Sequence, residues 1–387
     1  MLKIIKILIF LSIFLTNLGV SHVLGDTQVK EVFLPEGENV KVEPWIEDLE
    51  IPWSLVFIDS ERALVSERPG RIRSIIKGKL QAKPYAEIEV AHTGEGGLMG
   101  LAVHPDFPQK PFIYVMHTYR KNGFLYNRVI RLKDVEGSGL FDKIIIDHIP
   151  GWRFHNGGRI AFGPDKLLYI TTGEIYKAEL AQDLKSLGGK ILRITSNGDI
   201  PEDNPFKGSP VYSYGHRNPQ GITWHPETKD LFSSEHGPSG EFLRFGNDEI
   251  NIIKSGNNYG WPNIIGKGRD PRYIDPIMLW EKTTPPSGMT FYKGDYLEHL
   301  KGDLFVATLR AQSLIRIKLR KEGSNYKILR VERWFSNDYN KGKYGRIRDV
   351  VEGPDGALYF LTNNRDGRGS PRKNDDWIYR ILPLTKW

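Results

Sequence analysis

Two stretches of this chain, 190 residues apart, carry one pattern, and a repeat confines the fold more tightly than composition does. Gly158-Arg159-Ile160-Ala161-Phe162-Gly163-Pro164-Asp165-Lys166-Leu167-Leu168-Tyr169-Ile170 has its counterpart in Arg348-Asp349-Val350-Val351-Glu352-Gly353-Pro354-Asp355-Gly356-Ala357-Leu358-Tyr359-Phe360. Each reads as strand, tight turn, strand, with Pro-Asp supplying the turn and apolar and aromatic residues flanking it. Weaker copies begin at Trp53, Gly100, Gly221 and Gly288, which makes six units. The turn prolines at 105, 164 and 226 are spaced by 59 and 62 residues, and the next, Pro354, follows after 128, two units with the Gly288 copy between. Every unit has a further strand downstream, such as Arg71–Ile75, Asn127–Leu132, Lys190–Ile194 or Trp377–Leu382. Units of this length with about four short strands are propeller blades. The expected fold is all-β, a six-bladed β-propeller of four-stranded antiparallel blades.

A sandwich or two stacked β domains is the alternative. Against it stand six units in register and no Pro/Ser-rich linker, so residues 26–387 are expected to be one domain. The 40 glycines and 24 prolines suit turns rather than long helices. Cysteine is absent, which rules out disulfides, thiolate metal sites and a cysteine nucleophile. A closed ring, which leaves few sheet edges exposed, suits such a chain.

Residues 1–25 stand apart. Lys3 and Lys6 precede the apolar run Ile7–Leu15, and no acid occurs before Asp26. This is the pattern of a secretory signal peptide cleaved after Gly25, with an uncleaved anchor as the alternative. The chain is therefore expected to be exported, to the periplasm or beyond the cell, with no membrane span after cleavage. Its net charge of +7 loses the two lysines of that segment and becomes +5. Charges of both signs are mixed throughout, with no concentrated basic face, so no nucleic-acid partner is expected.

In a propeller the residues just ahead of each innermost strand converge on the central axis. Here those slots are polar: Gly94 and Glu95 before unit two, His155 before unit three, Arg217, Asn218 and Gln220 before unit four, Arg346 and Arg348 before unit six. Arginine forks onto carboxylates, so such slots make a pocket for a compact polyanion. Taken singly, His155 also reads as a turn residue and the arginines as blade-to-blade ion pairs. His104, His216 and His225 sit in turn-like contexts and read as structural. No zinc-spaced histidine pair, Asp-x-Asp-x-Asp loop, Gly-x-Ser-x-Gly or phosphate-binding glycine loop occurs.

Gly94-Glu95-Gly96-Gly97-Leu98-Met99-Gly100, Phe154–Arg159, Tyr214–Gly221, Glu235-His236-Gly237-Pro238, Asp248-Glu249-Ile250-Asn251, Asn258–Pro262 and Gly345–Asp349 together carry a resemblance that runs from about Ile51 to Pro383. The chain resembles the soluble, pyrroloquinoline quinone-dependent aldose (glucose-type) sugar dehydrogenases. The resemblance implies that His155 is the general base, with Glu174 standing where an aspartate often orients it. It implies that Arg217, Asn218 and Gln220 form a cofactor-binding loop and that Arg346 and Arg348 meet the cofactor carboxylates. Arg310 aligns where some members carry a cofactor-contacting lysine. The carbonyls of Gly237 and Pro238 align with the turn that holds an active-site calcium, ahead of a stretch, Ser239–Asn247, that is longer than usual. Tyr259 and Trp261 are expected near the mouth, where a sugar could stack. The partners implied are an aldose substrate and an electron acceptor the sequence does not name, with the protein a monomer or weak dimer. A secreted non-catalytic binding propeller and a calcium-dependent propeller lactonase are the alternatives.

Overall fold

The computed structural model describes residues 29–240 and 243–384, so the expected signal segment, residues 1–25, lies outside the described residues. Six sheets are arranged so that each innermost strand touches the next around a full circle. These strands are Pro52–Phe57, Leu98–Val103, Ile160–Phe162, Pro219–Trp224, Pro286–Phe291 and Ile347–Glu352, and they begin blades 1 to 6. Within the blades neighbouring strands run antiparallel. The all-β, six-bladed expectation holds.

The repeated motif makes the same turn in each full copy. Asp165 accepts the N–H of Leu167 at 3.1 Å and the hydroxyl of Tyr169 at 3.0 Å. Asp355 does the same with Ala357 at 3.2 Å and Tyr359 at 2.8 Å. One side chain thus mimics a backbone turn and pins the aromatic of the following strand. The residue after the aspartate has positive φ, 60° at Lys166 and 77° at Gly356.

Apolar residues of each strand pair face sideways, toward the neighbouring blades. Six core clusters result, one between every two successive blades. Ring closure comes from a part of the chain that the repeat does not reach. Val40–Ile46 pairs antiparallel with Ile378–Pro383 and supplies the outermost strand of blade 6. Glu31–Leu34 adds a fifth strand, parallel, to blade 5. The ring is latched by its own N-terminal strand, so no disulfide is needed to hold first and last blades together.

The innermost ladders share one irregularity. Bulges fall at the first residues of five inner strands: between Pro52 and Ser54, Leu98 and Leu101, Pro219 and Gly221, Pro286 and Met289, and Ile347 and Asp349. A bulge leaves a residue out of the ladder and re-aims its side chain. Among the residues left out are Trp53, Gln220 and Arg348, which all point into the axial cleft.

Candidate active site

The cleft at the mouth of the axis spans about 420 Å³ of space that is continuous with solvent. Its walls come from two ends of each inner hairpin. Ahead of or at the start of the inner strands lie Glu95, Asn156, Gln220, Arg346 and Arg348. Just past the second strands lie Arg68, His236, Leu309, Asp366 and Arg368. The first set answers the slots read from the sequence. The second set lies outside those slots, and only His236 of it stands in a quoted motif; its signal in the sequence is that each second strand returns to the same mouth.

His155 is buried, with positive φ of 56°. Its Nδ1 lies 2.6 Å from Oε1 of Glu174, itself buried and just past the second strand of blade 3. A carboxylate only accepts, so Nδ1 carries the proton and Nε2 presents the lone pair. Nε2 makes no hydrogen bond to a described residue. The longer glutamate therefore does reach the imidazole. The ring of half-exposed Tyr176 stacks on His155 with centroids 3.9 Å apart. The backbone N–H of His155 donates to Oε2 of Glu95 at 3.2 Å. Burial pushes the Glu95 carboxyl up, but Arg368, His155 and His236 outweigh it and hold the group at about 2.

Four arginines and two acids line the cleft. Arg346 is clamped by Asp366, with Nε and Nη2 at 2.9 and 2.6 Å from one carboxylate oxygen. Arg368 pairs with Glu95 at 2.7 Å. Arg348 reaches only neutral oxygens: Gln220 at 3.0 Å, Ser287 at 3.3 Å and Asn363 at 3.4 Å. Its buried Nε has no partner among the described residues. Burial pulls Arg348 down to about 9; Asp366 opposes this, while Arg346 and Arg68 add to it. Arg159, ahead of the inner strand of blade 3, reaches Asp349 in the inner strand of blade 6 at 2.9 Å.

The structure divides the remaining expected residues. Gln220 lines the cleft, and its Nε2 also donates to the carbonyl of Gly157 at 2.9 Å. Asn218 sits behind it, fully buried, accepting from Gly157 N–H at 3.0 Å, so it fixes the loop that carries His155. Arg217 is buried beside Trp261, with its N–H bonded to Glu235 and Nη1 donating to the carbonyl of His236 at 3.2 Å. Arg310 is exposed beside the cleft-lining Leu309 and has no hydrogen-bond or ion-pair partner among the described residues. Gly237 and Pro238 are buried, and a β-carbon at Gly237 would sit 2.1 Å from the carbonyl of Gly246, so only glycine fits.

His236 was missed. Its Nε2 lies 2.7 Å from the carbonyl of Pro286, which can only accept, so Nε2 carries the proton. Burial, with Arg217 and Arg348 adding to it against Glu95, pulls the ring to about 3, and it stays neutral. Tyr259 and Trp261 are not at the mouth. Both are buried, because their N–H groups are stitched to Tyr214 at 2.9 Å and Gly215 at 3.0 Å, at the end of the outer strand of blade 3. Half-exposed Tyr176, stacked on His155, and partly exposed Phe154 beside it are aromatics that solvent reaches there.

Known proteins resemble this chain in sequence and fold. Residues 49–380 match the family described as glucose/sorbosone dehydrogenases. A crystal structure of an oxidoreductase from Thermus thermophilus is 49% identical, covers 89% of this chain and 100% of its own, and has a TM-score of 0.81. The PQQ-bound form of an aldose sugar dehydrogenase from Streptomyces coelicolor is 36% identical, covers 90% and 99%, and has a TM-score of 0.77. An aldose sugar dehydrogenase of Escherichia coli K12 is 32% identical over 86% of this chain and 93% of its own. With its ring of six blades and a match over most of its length, this chain belongs to the glucose/sorbosone dehydrogenase family of sugar-oxidising enzymes.

Proposed function

We propose that the protein is an exported quinoprotein dehydrogenase that oxidises the anomeric hydroxyl of aldose sugars to lactones. The observation that carries this reading is His155, its Nδ1 held by Glu174 and its Nε2 without a hydrogen-bond partner among the described residues, next to the lining residues Asn156 and Glu95 of a cleft whose arginines outnumber its acids. Pyrroloquinoline quinone has three carboxylates, and the cleft fits such an anion: Arg348 has a buried Nε without a partner among the described residues. The turn at Gly237 and Pro238 fits a hard cation, since neither carbonyl accepts a hydrogen bond among the described residues. When bound, the quinone supplies the hydride acceptor and calcium the Lewis acid that polarises it.

The chain's own residues do the rest. His155 Nε2 takes the proton of the anomeric hydroxyl as hydride leaves the same carbon. Glu174 keeps the proton on Nδ1 and stabilises the imidazolium that forms. Glu95 anchors the backbone of His155 and so ties the base to the arginine wall through Arg368. Asn218 fixes Gly157 behind it. A lactonase would need acids free to hold its metal, whereas both cleft acids here are taken by arginine. A binding-only propeller has no use for an oriented histidine. Lys3, Lys6 and the apolar run that follows support export of residues 26–387 as one domain.

The test is reconstitution. Protein purified without cofactor should reduce a dye with aldoses only after quinone and calcium are added. Activity with NAD alone, or none with any aldose, would sink the reading.

A further inference from the structure

We propose that Tyr176 is a positioning residue, whose ring holds the imidazole of His155 in the plane in which Nε2 can act as the base. That role rests on the quinoprotein reading and goes beyond it, since neither the repeat nor the resemblance pointed to Tyr176.

One contact leaves an imidazole loose. The hydrogen bond from Nδ1 to Glu174 at 2.6 Å fixes the tautomer and one atom of the ring. It does not fix the ring plane, because χ2 of histidine is a broad torsion. Tyr176 supplies the missing restraint. Its ring lies on that of His155 with centroids 3.9 Å apart and an angle of 23° between the planes. Phe154, the residue before His155, meets Tyr176 edge-on at 5.9 Å and backs the stack. His155 is buried while Tyr176 is 48% exposed, so the phenol ring covers one face of the base. An imidazolium formed there would meet a π face, which attracts cations.

The backbone that carries the ring is strained. The N–H of Lys177 donates to the carbonyl of Glu174 at 2.9 Å and closes a four-residue turn. Its two central residues, Ile175 and Tyr176, both have positive φ, 56° and 59°. That is the pattern of a type I′ turn, which Asn-Gly closes at least cost. A β-branched residue at positive φ is an outlier. His155 has φ of 56° as well, so three non-glycine residues of the left-handed region serve one stack. Strain of this kind persists only where the surroundings hold it, and it collects at functional sites. Both ends of the turn are held. Glu174 N–H donates to the carbonyl of Arg217 at 2.9 Å. Past Lys177, the short 3₁₀ helix Ala178–Ala181 is pinned by the buried Nζ of Lys190, which donates to the carbonyls of Leu180 and Ala181 at 2.6 and 3.1 Å. Asn-Gly would relieve the turn but offer no ring. The strained residues deliver two things from one turn: the carboxylate that sets the tautomer and, two residues on, the ring that sets the plane.

The experiment compares Tyr176→Gly and Tyr176→Phe with the parent, each at saturating quinone and calcium. Glycine relieves the turn and removes the ring, so Tyr176→Gly should melt at or above the parent's temperature. It should nevertheless lose ~10–10²-fold in kcat, because a small misplacement of a reacting group costs that much. KM for the aldose should change much less. Tyr176→Phe keeps the ring and should regain most of the lost rate. A kcat of Tyr176→Gly within a few-fold of the parent's overturns the proposal. So does a lower melting temperature in Tyr176→Gly, which would make the ring a packing element. Tyr176→Phe as slow as Tyr176→Gly overturns it too, by putting the effect on the hydroxyl. A parent that reduces no dye with any aldose sinks the functional reading instead. In that event proton NMR of cofactor-free protein separates the two. A ring signal of His155, assigned by its loss in His155→Ala, that is moved upfield in the parent and in Tyr176→Phe but not in Tyr176→Gly keeps the positioning stack. No difference among the three removes that as well.

Discussion

Blades 3 and 4 carry the same histidine–glutamate pair in the same place and use it in opposite ways. In each, a histidine ahead of the inner strand meets, through Nδ1, a glutamate 19 residues later at the end of the second strand: His155 with Glu174 at 2.6 Å, His216 with Glu235 at 2.9 Å. In each, a tyrosine stacks on the ring, Tyr176 at 3.9 Å and Tyr259 at 4.6 Å. The difference is at Nε2. That of His216 is tied to the hydroxyl of Ser213 at 2.9 Å in a fully buried setting, whereas that of His155 is open and its tyrosine half exposed. A carboxylate on Nδ1 fixes a tautomer in both; only access to the other nitrogen turns the pair into a base.

The largest effect should come from His155→Ala, with turnover falling ~10²–10⁴-fold while the melting temperature stays near the parent's. Turnover within a few-fold of the parent would mean that the two blades do not differ as stated. His216→Ala should do the reverse. It leaves a carboxylate oxygen and a hydroxyl unpartnered in a new cavity, which costs about 2–5 kcal/mol in denaturant unfolding, while the folded fraction keeps its activity once cofactor is supplied. A comparable loss of rate per folded molecule in both variants would erase the comparison.

Glu174 sharpens it. Glu174→Gln can donate to Nδ1 and reverse the tautomer, so turnover should fall ~10²-fold or more. Glu174→Asp keeps the charge but shortens the reach by one methylene, for a loss of ~10-fold. Steady-state rates with saturating quinone decide between them; equal rates for the two variants would argue against tautomer control. The smallest effect concerns Glu95, which stands at the base in blade 3 without counterpart at His216. Its folded value of about 2 lies below the ordinary 4.5, so its contribution to stability is complete above pH 4.5 and is lost as pH falls toward 2. Melting curves taken across that window should lose less stability in Glu95→Gln than in the parent. Parallel curves would show that the ion pair with Arg368 contributes nothing.

Much of the architecture was legible because the repeat is local. Pro-Asp turns with a tyrosine four residues on are short-range chemistry, and their spacing gives both the strands and the blade count. The polar slots ahead of the inner strands were legible for the same reason, and Glu95, Gln220, Arg346 and Arg348 do share one cleft. Tyr259 misled because its surroundings in sequence look like a loop, while its N–H is bonded to a strand of another blade.

The sequence by itself determined how many blades there are, where each begins and that the slots ahead of the inner strands face the axis, since all three follow from contacts between near neighbours in the chain. Tertiary structure decided what those residues are free to do. Whether an arginine has a carboxylate, as Arg346 has in Asp366 and Arg159 in Asp349, or lacks one, as Arg68 and Arg348 do among the described residues, depends on partners from other loops or other blades. So does the latch of Val40–Ile46 on Ile378–Pro383, which joins opposite ends of the chain. Charge balance and ring closure are set by distances across the axis and around the ring, and no pattern of neighbouring residues encodes those.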